Sequence, residues 1–271
     1  MDIFNDYNFV SESENFLLPP YYTLDNTSYP IKRAFPGSFY FILSIEKNKM
    51  RYKFMYKYIL FDLDGTITDS SKGITNCVKY ALEAARWEIP ENDRLLEFIG
   101  PPLTEGFMTI SKMSEKEAEA ATAKFRERYN VTGLFENEPY DGIEKMLKTL
   151  KENGYILAVA TSKPEETAKR IIEHFGLKKY FKEITGSTFD AVRNTKQSVI
   201  EETLKRLGIT DAEKESVLMV GDRKHDVAGA HNCGIDVLGV YYGFAKSGEL
   251  EDAGADYIVS KVEEIVKIIT G

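Results

Sequence analysis

Two aspartates, Asp62 and Asp64, stand one residue apart in "YILFDLDGTITDS" (58 to 70), directly after four apolar or aromatic residues. Side chains two apart in an extended chain share a face, so both carboxylates can point at one centre while Leu63 points away. Two more acids, Asp222 and Asp226, lie in "GDRKHD" just after the apolar run "VLMV". Carboxylates gathered in one crevice repel each other and lose hydration, a cost that a cation would offset. An oxygen-only donor set at Asp62, Asp64, Asp222 and Asp226, without Cys or His, favours Mg²⁺ as cofactor. Such an ion lets a carboxylate approach a phosphate group that it would otherwise repel.

Lys196, in "NTKQSVI", supplies the opposite charge. It falls near the first turn of its helix, where the macrodipole disfavours a cation, and a phosphate held nearby would remove that anomaly. Thr161 and Ser162, in "AVATSKP", add hydroxyl and amide donors at another strand end, and both are candidate phosphate-binding residues. Lys163 is expected to be a solvated lysine, although it could approach the same anion.

These residues act together only if the fold brings their strand ends together. From Tyr58 onward, short apolar runs alternate with amphipathic helices, the pattern of an α/β protein with a doubly wound, mostly parallel sheet. "YILF", "YILAVA", "KEIT", "SVLMVG", "DVLGVYY" and "DYIV" read as six strands, the first and fourth apolar on both faces as in central parallel strands. In such a sheet ligands bind beyond the carboxyl ends of the strands, where the polar residues above stand. A helix is expected after Pro164, carrying Ala168, Ile171, Ile172 and Phe175 and stopping at Gly176. Another carries Val199, Ile200, Leu204 and Leu207 and closes at Gly208.

Between the first two strands the pattern is helical. Ile74, Cys77, Val78, Ala81, Leu82 and Ala85 fall on one face, and a capping box at Ser114 and Glu117 opens a helix with Ala118, Ala121, Phe125 and Tyr129 inward. Phe107, Met108, Phe125 and Tyr129 are expected to form the core of this region. About seventy residues are too many for one crossover and enough for an inserted helical cap subdomain over 71 to 139, leaving 55 to 70 and 140 to 271 as the core. Residues 1 to 54, rich in Tyr, Phe, Asn, Ser and Pro, show no sustained period and are expected to be an irregular N-terminal extension.

The 271-residue chain is 43% hydrophobic and carries a formal net charge of -8, which argues against a nucleic-acid surface and requires any anionic substrate to be held by a local positive site. Cys77 and Cys233 match no metal-ligand spacing and are expected to be reduced, partly buried thiols. With no apolar run of membrane-spanning length and no secretory pattern at the start, the expected location is the cytoplasm, without membrane partners.

"DLDGT" at 62 to 66, Thr161 in "AVATSKP", Lys196 in "NTKQSVI" and "GDRKHD" at 221 to 226 together resemble the four motifs of the haloacid dehalogenase-like hydrolase superfamily. The insertion after the first motif resembles the cap of its phosphoglycolate phosphatase-like branch, and "FIGPPL" at 98 to 103 is similar to a cap loop found there. The resemblance covers 56 to the C-terminus and not residues 1 to 54. It implies that Asp62 is the nucleophile forming an aspartyl-phosphate and Asp64 the general acid and base. It also implies that Asp62, the backbone carbonyl of Asp64, and Asp222 hold Mg²⁺ with support from Asp226, while Thr161 and Lys196 bind the transferring phosphoryl oxygens. Asp64 points to phosphatases and phosphomutases within the superfamily.

The expected activity is therefore Mg²⁺-dependent hydrolysis of a small phosphorylated metabolite, with phosphoglycolate, nucleoside monophosphates and pyrophosphate as substrates to test. A β-phosphoglucomutase-like phosphomutase is the enzymatic alternative, and a non-catalytic regulator on the same fold is the alternative of another class. Asp69 is expected to cap the helix that follows it, His174 to be structural or exposed, and His231 with Cys233 to lack the ligands of a zinc site. His225 stands inside the last motif, within reach of a leaving group. The stiff "GPP" turn at 100 to 102 could meet the crevice and exclude water.

Overall fold

A computed structural model of the chain describes residues 56–188 and 192–271, and the backbone of three strands before them: β1 (Arg33–Ala34), β2 (Tyr40–Glu46) and β3 (Lys49–Phe54). These three form a sheet in the order β1-β2-β3, with β1 antiparallel to β2, where the sequence pattern suggested irregular chain; the rest of that expectation lies outside the described residues. Up to Lys53 they belong to a unit of their own, and Phe54, the last residue of β3, is the first of the second unit.

The first strand wholly within the second unit is β4 (Tyr58–Phe61), whose four residues are all buried. Tyr58 and Leu60 pack into one hydrophobic cluster and Ile59 and Phe61 into another, so the strand is covered on both faces. This is why its sequence is apolar without alternation. A two-residue strand β5 (Thr68–Asp69) follows, and then four helices: α1 (Ser71–Ala84), α2 (Asn92–Leu96), α3 (Leu103–Thr109) and α4 (Glu115–Tyr129). Strand β6 (Glu138–Pro139) brings the chain back antiparallel to β5, pairing Asp69 with Glu138 and Thr68 with Pro139. The helical stretch therefore leaves and re-enters the sheet through one two-stranded neck.

Helix α1 buries Ile74, Cys77, Val78, Ala81 and Leu82 as its periodicity requires, whereas Ala85 lies past its last turn and is exposed. Asp69 accepts a hydrogen bond from the Ser71 amide at 2.9 Å, the capping role expected of it. Ser114 and Glu117 form the capping box of α4, which turns Ala118, Ala121, Phe125 and Tyr129 inward. Phe107 is buried with them, but Met108, expected in the same core, is 40% exposed because the next position on α3 faces solvent.

The remaining elements alternate strand and helix: α5 (Ile143–Glu152), β7 (Ile156–Pro164), α6 (Glu165–His174), β8 (Phe181–Ser187), α7 (Lys196–Leu207), β9 (Val217–Gly221), α8 (Lys224–Asn232), β10 (Asp236–Val240), α9 (Glu249–Asp252), β11 (Tyr257–Val259) and α10 (Val262–Thr270). Helix α6 starts after Pro164 and α7 ends at Gly208, whose φ of 70° places it in the left-handed region that glycine adopts without strain. All six long-sheet strands run parallel in the order β11-β10-β9-β4-β7-β8. The order reverses between β4 and β9, so a crevice opens beyond their carboxyl ends, where Asp62 and Asp222 follow. Among the described residues no helix is long and apolar enough to cross a membrane.

Candidate active site

Asp62 continues β4, and its amide donates to the Val220 carbonyl of β9 at 2.9 Å, which draws the two strand ends together at the crevice. Asp222 follows β9 and is fully buried. Its carboxylate accepts from the Phe244 amide at 2.7 Å and the Thr66 hydroxyl at 3.3 Å. Glycines make room for it: a Cβ on Gly65, whose φ is 80°, would lie 2.1 Å from Asp222 Oδ2, and one on Gly243 would lie 2.5 Å from Asp222 Cβ. Asp226 sits in the first turn of α8 and accepts from the Arg223 amide at 3.0 Å, the N-terminal position that suits a carboxylate.

Carboxylate oxygens of Asp62, Asp222 and Asp226 lie within 4.8 Å of one another. Lys196 opens α7 and reaches across the sheet to them, its Nζ 2.9 Å from Asp62 Oδ1, 2.7 Å from Asp226 Oδ1 and 3.2 Å from the Ala160 carbonyl. The two carboxylate contacts are ion pairs off the hydrogen-bonding direction, so both Oδ1 atoms are buried without an aligned donor. Lys196 is thus not a surface lysine at an unfavourable helix end. Burial works against its charge, but Asp226 and Asp62 outweigh burial and hold the ammonium above the usual lysine range.

Burial, with Asp226 and Asp62 beside it, pushes the Asp222 carboxyl well above the ordinary carboxylate range. Burial also raises Asp226, to about 6, against the pull of Lys196. One ammonium faces three clustered carboxylates, a deficit of positive charge that either protons or a further cation must make up. The buried, undirected oxygen of Asp62 and the all-oxygen donor set fit a hard divalent ion such as Mg²⁺.

Asp64, grouped by sequence with the other three acids, stands apart in its side chain. Its Oδ2 accepts from Lys163 Nζ at 2.5 Å, and its carboxylate is not part of the cluster formed by Asp62, Asp222 and Asp226. Lys163 is accordingly not the solvated lysine expected: its side chain is 5% exposed and its ammonium lies 5.1 Å from the centre of the Tyr129 ring of α4. β7 runs to Pro164 and so carries residue 163 to the same face as Thr161. Thr161 is buried, and its hydroxyl accepts from the Lys163 amide at 3.2 Å. Ser162 is half-buried on the same strand.

Three contributors escaped the sequence. Thr66 and the Phe244 amide hold Asp222, and only Thr66 could have been found, as the last residue of "DLDGT". Arg223, next to Asp222, donates from Nη1 to the Ile99 carbonyl at 2.8 Å and from Nε to Glu249 at 2.8 Å, fastening the 98 to 102 loop at the site. His225 is largely exposed, and partial burial, with the charges of Arg223 and Lys224 nearby, lowers its pKa. His174 lies against the rings of Phe135 and Phe175, and His231 pairs with Asp256 at 3.1 Å, consistent with structural places for both. Cys77 and Cys233 are buried and free.

The sequence model of the haloacid dehalogenase-like hydrolases matches residues 59–240 of the chain. A 5'-nucleotidase of Pseudomonas aeruginosa is 44% identical over 195 residues, covering 72% of this chain and 87% of that protein. The tyrosine-protein kinase PtkA of Mycobacterium tuberculosis is 40% identical over 190 residues, covering 70% of this chain and 63% of the kinase. The crystal structure of a predicted phosphatase from Clostridium acetobutylicum is similar with a TM-score of 0.75 and 44% identity, over 80% of this chain and 99% of that one.

Proposed function

The chain belongs to the haloacid dehalogenase-like hydrolases and is a phosphatase of that family, and from this premise we propose that it is Mg²⁺-dependent and hydrolyses a nucleoside monophosphate or a similarly small phosphomonoester through an aspartyl-phosphate on Asp62. The observation that carries the reading is the meeting of Asp62, Asp222, Asp226 and Lys196 at the point where the strand order reverses. Likeness to a 5'-nucleotidase supports nucleotides over other monoesters.

Asp62, Asp222 and the Asp64 carbonyl would hold Mg²⁺, which when bound neutralises the acids and draws charge from the phosphoryl oxygens. Lys196 and the Thr161 hydroxyl orient the same oxygens, with Ser162 as a further donor. Asp62 attacks phosphorus in line as the bond to the leaving oxygen breaks, and Asp64 delivers a proton to that oxygen. Water then attacks the aspartyl-phosphate, Asp64 takes its proton, and Asp62 is freed with release of phosphate. Splitting the work between two acids is required, because a carboxylate acting as nucleophile cannot deliver a proton at the same moment.

Residues 71 to 139 act as a cap over a core of 55 to 70 and 140 to 271, with the β5/β6 neck as the connection. The 98 to 102 loop, tied to Arg223, closes one side of the crevice and limits water. Residues 1 to 54 are an extension outside this machinery, and the enzyme works in the cytoplasm on a soluble metabolite.

Phosphate release under Mg²⁺ from a panel of nucleoside monophosphates, phosphoglycolate, pyrophosphate and hexose phosphates tests the reading. Asp62→Asn is expected to abolish turnover in a folded protein, and retained activity would remove Asp62 from the nucleophile role. The kinase name of one relative and the mutase alternative share a distinguishing outcome: phosphate transferred to a hydroxyl of a protein or sugar rather than to water.

A further inference from the structure

The contact between Lys163 and Asp64 is not among the roles given by the four-motif assignment, yet it joins β7, the end of β4 and helix α4 at one point. Lys163 Nζ is 2.5 Å from Asp64 Oδ2, the lysine side chain is 5% exposed and the aspartate 16% exposed. Asp64 Oδ1, by contrast, is buried with no hydrogen-bond partner in the protein. The two carboxylate oxygens are therefore not equivalent: one is held by an ammonium and the other is buried without a protein partner. Lys163 Nζ also lies 5.1 Å from the centre of the Tyr129 ring, itself stacked on Phe125, so the ammonium is held by the helical insertion as well as by the sheet.

We propose that Lys163 is a positioning residue for Asp64: it holds Oδ2 so that Oδ1 is the oxygen that hands a proton to the leaving group and later takes one from water. This rests on the reading of Asp64 as general acid and base. The step balances without another reactant. The bond from Asp62 to phosphorus forms as the bond to the leaving oxygen breaks, the proton on Oδ1 moves to that oxygen, and the attacking water returns one to Oδ1. An unheld carboxylate would rotate between its oxygens and lose the geometry on which proton transfer depends. Because Tyr129 comes from α4, seating of the insertion and aim of Asp64 are set together.

The test compares two esters that differ in their need for a proton. A nucleoside 5'-monophosphate loses an alkoxide-like oxygen and requires protonation, whereas p-nitrophenyl phosphate loses a phenolate that departs without it. Lys163→Met is expected to lower kcat/KM for the nucleotide by about 100-fold, to lower it at least about tenfold less for p-nitrophenyl phosphate, and to leave both KM values within about threefold of the parent. Lys163→Arg keeps the charge and is expected to keep the parent's ratio between the two esters; if the Met variant does not fold, this ratio decides, and a shift away from the parent overturns the proposal. Equal losses on both esters overturn it as well. A loss confined to KM does so too, and makes Lys163 a substrate-binding residue. If the parent protein hydrolyses neither ester, the phosphatase reading falls first and this role with it.

Discussion

Lys196 Nζ lies 2.9 Å from Asp62 and 2.7 Å from Asp226, so one buried ammonium bridges the end of β4 and the first turn of α8. Replacing it leaves two desolvated carboxylates unopposed. Lys196→Met is expected to destabilise the protein by about 3–5 kcal/mol in urea unfolding. Added Mg²⁺ is expected to recover part of that loss, because an ion can neutralise the same oxygens; a loss below about 1 kcal/mol would show that the lysine is not neutralising them.

Gly243 gives Asp222 its place. A Cβ there would lie 2.2 Å from the Gly65 carbonyl oxygen and 2.5 Å from Asp222 Cβ, both too close to be absorbed without movement. Gly243→Ala is expected to weaken Mg²⁺ binding at least about tenfold in calorimetric titration, since misplaced ligands bind poorly. Unchanged affinity would separate Asp222 from the ion.

Removal of metal by EDTA is expected to stop phosphate release, and Mg²⁺ to restore it. At an ion concentration about 100 times the Kd, binding adds about 2.7 kcal/mol to stability, visible as a higher Tm. No change in Tm at any Mg²⁺ concentration would contradict a site at Asp62, Asp222 and Asp226.

Arg223 holds the 98 to 102 loop through the Ile99 carbonyl and is itself braced by Glu249. Arg223→Ala is expected to raise the rate of limited proteolysis between residues 96 and 105 several-fold, because a loop released from this long-range anchor opens more often. An unchanged cleavage rate would mean that packing of the loop, not the guanidinium, keeps it closed.

Glu165, at the start of α6, receives Arg193 at 2.7 Å, Lys169 at 2.8 Å and Arg206 at 3.1 Å. Burial pushes its carboxyl up, but hydrogen bonds from Lys169, Arg206 and the Gly186 amide hold it down at about 2. A depressed carboxyl contributes stability that is complete above its unfolded value and is lost as pH falls through the folded one. The loss is expected from about pH 4.5 toward pH 2, and amounts to about 1–2 kcal/mol once solvent screening of a surface cluster is allowed for. Glu165→Gln should flatten this part of the acid unfolding profile, and an unchanged profile would assign the acid sensitivity elsewhere.

The core sheet and most helices were legible because each has a local cause. β4 and β9 read as central strands from unbroken apolar runs, and their alternate residues do enter the two opposite hydrophobic clusters. α4 was announced by Ser114 and Glu117, and α7 by its stop at Gly208. Met108 and Ala85 were misplaced because periodicity tells which side of a helix faces inward only while the helix and its neighbours continue. The acids and Lys196 were legible as candidates by charge type at strand ends, whereas Lys163 looked like any solvated lysine.

By itself, then, the sequence determined which residue types stand at which strand ends, because strand period, helix period and capping act over a few residues. It also determined that a helical insertion separates the first two sheet strands. Only the tertiary structure decided which of those ends meet. Asp62, Lys196 and Asp226 come from three different strand-helix junctions, and their convergence follows from parallel strand order and the reversal between β4 and β9. The same holds for Asp64, turned to Lys163 rather than to the other acids: its direction is set by a contact 99 positions along the chain, which no local pattern encodes.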